Sequence, residues 1–327
     1  MPIPLLEVRL TEDDILRALH TDVTTALTST PKRIHPRWRW DSRGSELYEL
    51  INETPEYFSY RTERALLQSI APELAGLATV DTLIELGSGL SEKTQIIFDA
   101  YSKEYGDVEH FIPLDVSISA LRQALTALSN RYPNMAIHGL VADFNSDLES
   151  ACELGGDRRM LLFLGGTVGN LTPPEREHFF GSLRAGLRPG DYFLLGSHLI
   201  TDIPRMEAAY ADSSGLCTEF NRNILRMLNT RLDADFDPEA FEHVARWNDA
   251  EGRIEVFLEA SRPMDVHVRG LELRTSFAKG EWFQTDVSAK FGSGAMATEL
   301  STAGFEITRE WVDDEHLHSL LLARKPL

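Results

Sequence analysis

Thr82-Leu83-Ile84-Glu85-Leu86-Gly87-Ser88-Gly89, running straight into Ser91-Glu92-Lys93-Thr94, reads as a buried strand that breaks into a glycine turn ahead of a helix. Without a Cβ, Gly87 and Gly89 can take positive φ and let a ligand approach the backbone, and the helix start offers free N–H groups. Such turns hold nucleotide-type cofactors. A dinucleotide fingerprint would place a third glycine where Glu92 stands, so this loop lacks the pattern that cradles a pyrophosphate. Two further apolar runs end in aspartate, Phe111-Ile112-Pro113-Leu114-Asp115 and Gly139-Leu140-Val141-Ala142-Asp143-Phe144. A third, Arg159 to Leu164, enters Gly165-Gly166-Thr167-Val168-Gly169-Asn170. Ligands of open α/β sheets sit at the carboxyl ends of strands. There Asp115 can accept from both ribose hydroxyls, Asp143 from an adenine amino group, and Phe144 can stack on the purine. Taken singly, each aspartate fits a helix N-cap as well. In register with a glycine turn they point to an adenosine cofactor without a pyrophosphate, S-adenosyl-L-methionine.

The elements that must position these residues follow a β-α rhythm. Helical spacing is expected over 65–77, 92–105, 118–131 and 174–187, alternating with the apolar runs, and a strand over 192–196 follows the turn Arg188-Pro189-Gly190-Asp191. This predicts right-handed parallel crossovers in an α/β, Rossmann-like sheet. Residues 305–312 and 318–323 read as a closing hairpin. Before the sheet, 11–29 forms a helix capped by Thr11, with Ile15, Leu16, Leu19 and Val23 at helical spacing. The ring-rich clusters Trp38-Arg39-Trp40-Asp41 and Tyr57-Phe58-Ser59-Tyr60, in a region with Pro31, Pro36 and Pro55, read as an irregular wall or lid. Beyond residue 200 a long helical stretch gives way to alternating strand patterns such as Arg253 to Leu258. The expected layout is discontinuous: 62–200 plus 291–327 bind the cofactor, and 1–61 plus 201–290 form a smaller α+β substrate lobe, with the active site in a cleft between them.

Composition limits the function classes. The 327 residues are 43% hydrophobic and 25% charged, enough for a substantial core, and the formal net charge of −19 argues against nucleic acid and anionic membranes. No run reaches the roughly 18 apolar residues of a membrane span, and Met1-Pro2-Ile3-Pro4 lacks a basic leader, so a cytoplasmic monomer acting on a small molecule is expected. Cys152 and Cys217 have no metal or redox spacing. His316 and His318 stand two apart with no third ligand, which fits alternate hairpin positions better than a metal site, and no metal is expected. His198, just after a strand, can border the active cleft.

Over nearly its whole length the chain resembles the ergothioneine-pathway histidine Nα-methyltransferases, which trimethylate the α-amine of L-histidine with S-adenosylmethionine. The likeness rests on Pro55-Glu56-Tyr57 with Arg61-Thr62-Glu63, on the Glu85 to Thr94 segment, on Gly169-Asn170-Leu171, on Phe220-Asn221-Arg222-Asn223, and on Val287-Ser288 with Lys290-Phe291. The resemblance implies a seven-strand class I methyltransferase sheet. It also implies that Gly87, Lys93, Asp115, Asp143 and Phe144 contact the cofactor, that Tyr57, Asn170 and Tyr210 hold the substrate's amino and carboxylate groups, and that Asp286 and Ser288 face its side chain. The product would be trimethylhistidine, hercynine.

Elementary chemistry agrees with those roles. Methyl transfer is an in-line displacement, so the amine must be deprotonated and aimed. Asn170 can donate to a carboxylate while accepting from an amine, and Tyr57 is the hydroxyl expected nearest the nitrogen. The rings of Tyr57, Phe58 and Trp40 could retain methylated ammonium intermediates by cation–π contact, or simply pack. The chain departs from the family where the side chain is read, with Asp286 for its glutamate and Val256 for its methionine. Both changes enlarge the pocket and admit a larger aromatic such as tryptophan, giving its betaine, although a buried carboxylate suits a two-nitrogen ring better. Trp40 stands where the family has tyrosine, removing a hydroxyl that could have touched the cofactor. A NAD-dependent oxidoreductase and a noncatalytic cofactor sensor are the alternatives from other classes. The absent third glycine disfavours the first, and the polar set Tyr57, Asn170, Tyr210 and Ser288 disfavours the second.

Overall fold

The structure, a computed structural model, describes residues 2–327. The chain runs β1 (Leu5–Val8), α1 (Glu12–Thr28), β2 (Lys32–Arg33), α2 (Ser42–Asn52) and α3 (Ser59–Leu77). Then come β3 (Thr82–Leu86), α4 (Thr94–Glu104), β4 (His110–Asp115), α5 (Ile118–Arg131), β5 (Ala136–Val141), α6 (Phe144–Cys152), β6 (Arg159–Phe163), α7 (Pro173–Gly186) and β7 (Tyr192–His198). The remainder is α8 (Ile203–Ala208), α9 (Leu216–Leu232), β8 (Phe241–Asn248), β9 (Arg253–Ala260), β10 (Met264–Val268), β11 (Leu273–Phe277), β12 (Trp282–Ala289), α10 (Ala295–Thr302), β13 (Glu306–Val312) and β14 (His318–Arg324). Two compact units result: one from the residues up to Leu10, Ser59–Ile200 and Lys290–Leu327, the other from Thr11–Phe58 and Thr201–Ala289.

The first unit is an eight-stranded sheet in the order β1-β5-β4-β3-β6-β7-β14-β13. Strands β1 to β7 in this sheet pair in parallel, whereas β14 runs antiparallel to β7 and β13 antiparallel to β14. Parallel strands covered on both faces are predominantly apolar, and all five residues of β3 and of β6 are buried, Glu85 and Arg159 among them. The strand order reverses between β3, which pairs with β4, and β6, so the loops after these strands open at a topological switch point. Seven strands follow the expectation. The eighth, β1, corrects it: the first ten residues, assigned to the substrate lobe, instead add a parallel edge strand with Leu5 opposite His138 and Val8 opposite Val141. Helices around the sheet close a core that includes Leu67, Leu74, Phe98, Phe111 and Leu162.

The second unit holds the four-stranded sheet β2-β12-β9-β8, the ribbon β10-β11 and helices α1, α2, α8 and α9. Its core gathers Leu19 and Val23 of α1, Ile224 and Leu228 of α9, and Phe241 and Phe283 of the sheet. The capping box of Thr11 and Asp14 starts α1 as its spacing foretold. Helix α2 lay hidden between the two ring-rich clusters. Asp41 caps it by accepting from Gly44 N–H at 2.7 Å, and a Cβ on Gly44 would lie 1.7 Å from the Arg39 carbonyl oxygen, so only glycine fits there. On α9, Asn221 donates to the Phe257 carbonyl at 2.9 Å and accepts from the Thr285 hydroxyl, while Asn223 donates to Asp41 at 2.7 Å. The Phe220 to Asn223 motif thus braces β9, β12 and the start of α2. Among the described residues no helix is long and apolar enough to cross a membrane.

Candidate active site

At the carboxyl edge of the first unit's sheet, Gly87 and Gly89 have φ of 62° and 51°, and nothing lies within 4 Å of where their Cβ atoms would be. The loop is an open shelf held from below. Asp115, at the end of β4, accepts from Gly89 N–H and from Ser117 N–H, both at 2.8 Å, and burial raises its carboxyl above the usual range despite those bonds. Glu85 is buried with one oxygen 2.5 Å from the Thr94 hydroxyl and the other without a hydrogen-bond partner, and burial pushes its pKa to about 7. The hydroxyls of Ser88 and Ser91 are likewise buried and unsatisfied. A glycine cradle open to approach, ringed by donors and acceptors in need of partners, fits a hydroxyl-rich adenosine cofactor. Asp143 stands half-buried between β5 and α6. Phe144, which opens α6, meets Phe163 and Phe179 edge-on at 5.3 Å and 5.9 Å between centroids.

Lys93 is the N-cap residue of α4 and pairs with Glu63 of α3, its ammonium 5.5 Å from the Tyr60 ring centroid. Glu63 is the centre of a buried network the sequence did not disclose. It accepts from Gly165 N–H at 2.8 Å and lies 3.1 Å from Nε2 of His318, which packs against His198 at 5.2 Å between rings. His198 in turn lies 3.1 Å from the Lys290 ammonium. Burial alone would raise the Glu63 carboxyl, but Lys93 and His318 outweigh it and hold the group well below the usual carboxylate range. Burial and Lys290 keep His198 neutral, well below the usual histidine range. Gly165 and Gly166, with φ of 81° and 68°, bend the chain over this network, and a Cβ on Gly166 would strike the His198 ring at 2.5 Å. The bend leads into a 3-10 turn, Thr167–Asn170, that ends in the half-buried Asn170. His198 and His318 therefore support this edge from beneath. Among the described residues no group of three or more His, Cys, Asp or Glu could hold a metal ion.

The second unit brings Tyr57, Tyr210, Val256, Asp286 and Ser288 together. Tyr57 is buried, its hydroxyl 3.0 Å from that of Tyr48 and its ring edge-on to Tyr48 and Tyr210 at 5.8 Å and 6.4 Å. Tyr210 donates to Ser288 Oγ at 2.8 Å. Burial raises both phenols above their ordinary range, so they act as neutral hydrogen-bonding groups. Alternation along β12 places Asp286 and Ser288 on one face, and Val256 of β9 is the cross-strand partner of Asp286. Trp40 belongs to this unit, packed edge-on against Tyr48 at 4.9 Å and Phe220 at 5.4 Å. Asp286 does not end in empty space, because one of its oxygens lies 2.6 Å from a terminal nitrogen of the buried Arg39.

Comparison with known proteins gives a consistent picture. A family model for histidine-specific, S-adenosylmethionine-dependent methyltransferases matches residues 19–325. The histidine N-alpha-methyltransferase of Mycobacterium tuberculosis is 42% identical over 308 residues, 94% of this chain and 95% of that one. That of Mycolicibacterium smegmatis is 42% identical over 314 residues, 96% of this chain and 97% of that one. Ergothioneine biosynthesis protein 1 of Neurospora crassa is 27% identical over 326 residues, covering 95% of this chain and 36% of that one.

Proposed function

Because the chain belongs to the histidine-specific, S-adenosylmethionine-dependent methyltransferase family, we propose that it methylates the α-amine of free L-histidine, up to the trimethylated product. The first unit then supplies the cofactor residues Gly87, Lys93, Asp115, Asp143 and Phe144. The open glycine shelf and the unsatisfied atoms of Glu85, Ser88 and Ser91 support this assignment. When bound, S-adenosylmethionine supplies an electrophilic methyl group on sulfur. The Lys93 ammonium, held in place by Glu63, has further N–H groups to donate to an anionic group of that cofactor.

The substrate's two ends call for groups that donate and accept at once. Asn170 can do both for the carboxylate and the amine, and the neutral hydroxyls of Tyr57 and Tyr210 can accept from N–H or donate to carboxylate. Neither phenol removes a proton from an ammonium, since burial raises both. The amine must therefore be used in its neutral form, and the residues' part is to orient its lone pair. Asp286 and Ser288 read the side chain. The observation that carries the assignment is this clustering of Tyr57, Tyr210, Ser288 and Asp286 around two paired strands. The two buried free thiols, Cys152 and Cys217, suit a reducing compartment.

Mass spectrometry of the twenty amino acids incubated with S-adenosylmethionine tests the proposal. Histidine should gain one, two and then three methyl groups, with fragmentation locating them on the α-nitrogen. Methylation confined to tryptophan, or placed on a ring nitrogen or an oxygen, would overturn it.

A further inference from the structure

The ion pair between Arg39 and Asp286 has no counterpart in the roles assigned above. Both side chains are buried, 7% and 5% exposed, and their terminal atoms approach to 2.6 Å. Arg39 comes from the 3-10 turn Pro36–Arg39, its guanidinium 4.8 Å from the ring centroid of Phe220 on α9, and its Nε is buried without a partner. A carboxylate taken out of water in this way seeks a cation. Without Arg39, the cation on offer to Asp286 would be a substrate's own. With Arg39 beside it, the pair is electrically balanced, and a second positive charge would find the carboxylate of Asp286 already neutralised.

Resting on the reading of Asp286 as a side-chain contact, we infer that Arg39 is a specificity-determining residue. By cancelling the charge of Asp286 it makes this subsite select the neutral form of a ring bearing an N–H donor, neutral imidazole, over the imidazolium and over cationic side chains such as those of lysine and arginine. Asp286 still has lone pairs to accept the imidazole N–H, because a carboxylate offers about four acceptor directions.

The groups around the pair leave the substrate as the one that titrates near neutrality. Tyr210 and Cys217 are raised by burial, the thiol to about 12, and Asp212 is lowered to about 2 by bonds from Ser214 and Cys217 that outweigh its burial. His243 of β8, 2.7 Å from the Tyr210 carbonyl oxygen, is lowered by burial and also by Arg39. Asp41 accepts from Gly44 and Asn223, and Arg222 is tied to the Phe241 carbonyl and Glu239.

Calorimetric titration of histidine into the full chain saturated with S-adenosylhomocysteine, at about pH 5.5 and about pH 7.5, tests this. The α-amine is mostly protonated at both values, whereas the imidazole, with a pKa near 6.5, changes from mostly charged to mostly neutral. Wild type should bind histidine about five- to tenfold more tightly at the higher pH. Arg39→Lys should keep that gain, and Arg39→Met should lose it. Equal or tighter binding by wild type at the lower pH would overturn the inference, as would retention of the full gain by Arg39→Met. The wild-type and Arg39→Lys arms stand even if Arg39→Met does not fold. Failure of histidine to bind at either pH, while another amino acid binds, would be a different result, overturning the substrate assignment on which the inference rests.

Discussion

Glu85 is a carboxylic acid placed where a carboxylate is costly. It lies in a fully buried strand, with one oxygen paired to Thr94 and the other unsatisfied, and burial carries its pKa to about 7. The folded state therefore holds a proton that the unfolded chain has given up by about pH 4.3. Folding takes up that proton between these values, so this group's contribution favours the native state most at acid pH, declines as pH rises to about 7, and is flat beyond. Glu85→Gln removes the titration. Its stability relative to wild type, measured by denaturant unfolding, should grow across that window to about 3 kcal/mol above pH 7. A constant difference between the two proteins from pH 4.5 to 8 would refute the assignment. Glu63 works in the opposite sense, since its depressed carboxyl contributes stability that is lost as pH falls. Comparison of the variant with wild type separates the two.

At the scale of elements, Glu63 joins segments that the chain keeps far apart. Its carboxylate holds Lys93 at the start of α4, the Gly165 N–H ahead of the Asn170 turn, and His318 on β14. Glu63→Gln preserves the shape and the acceptor facing Gly165 but discharges the partner of Lys93. Lys93 is then no longer anchored at the start of α4, and S-adenosylhomocysteine binding should weaken about tenfold, the scale of one misplaced charged hydrogen bond, while the affinity of a cofactor fragment without its amino-acid end stays unchanged. Equal weakening for both ligands would indicate general disruption of the fold. The strands and helices themselves were largely legible: the glycine turn, the aspartates closing β4 and β5, and helices α4, α5 and α7 lie within a residue or two of their expected bounds. What escaped was pairing. Glu63 sits in a plain helical stretch and His318 in a hairpin, and Arg39 among aromatic residues gives no sign of Asp286, because contacts between distant positions leave no local pattern. Helix α2 was missed because Trp40, Tyr48 and the flanking prolines outweighed the cap signal of Asp41.

The molecule as a whole is two units, each drawn from separated parts of the sequence with its own core. The change of rhythm near residue 200 was readable as a change in periodicity, and so was the return to the sheet at the closing hairpin. The role of the first ten residues was not, since β1 has only four residues and half-buried or exposed side chains, too short and too mixed for an alternation to register. That small strand also has a protective effect. Leu5–Val8 occupies the margin of β5, whose amide and carbonyl groups would otherwise face outward as an open template. A protein shortened to begin at Thr11 should retain both cores but self-associate, and light scattering would register the growth in particle size with concentration. A monodisperse shortened protein would rule that out.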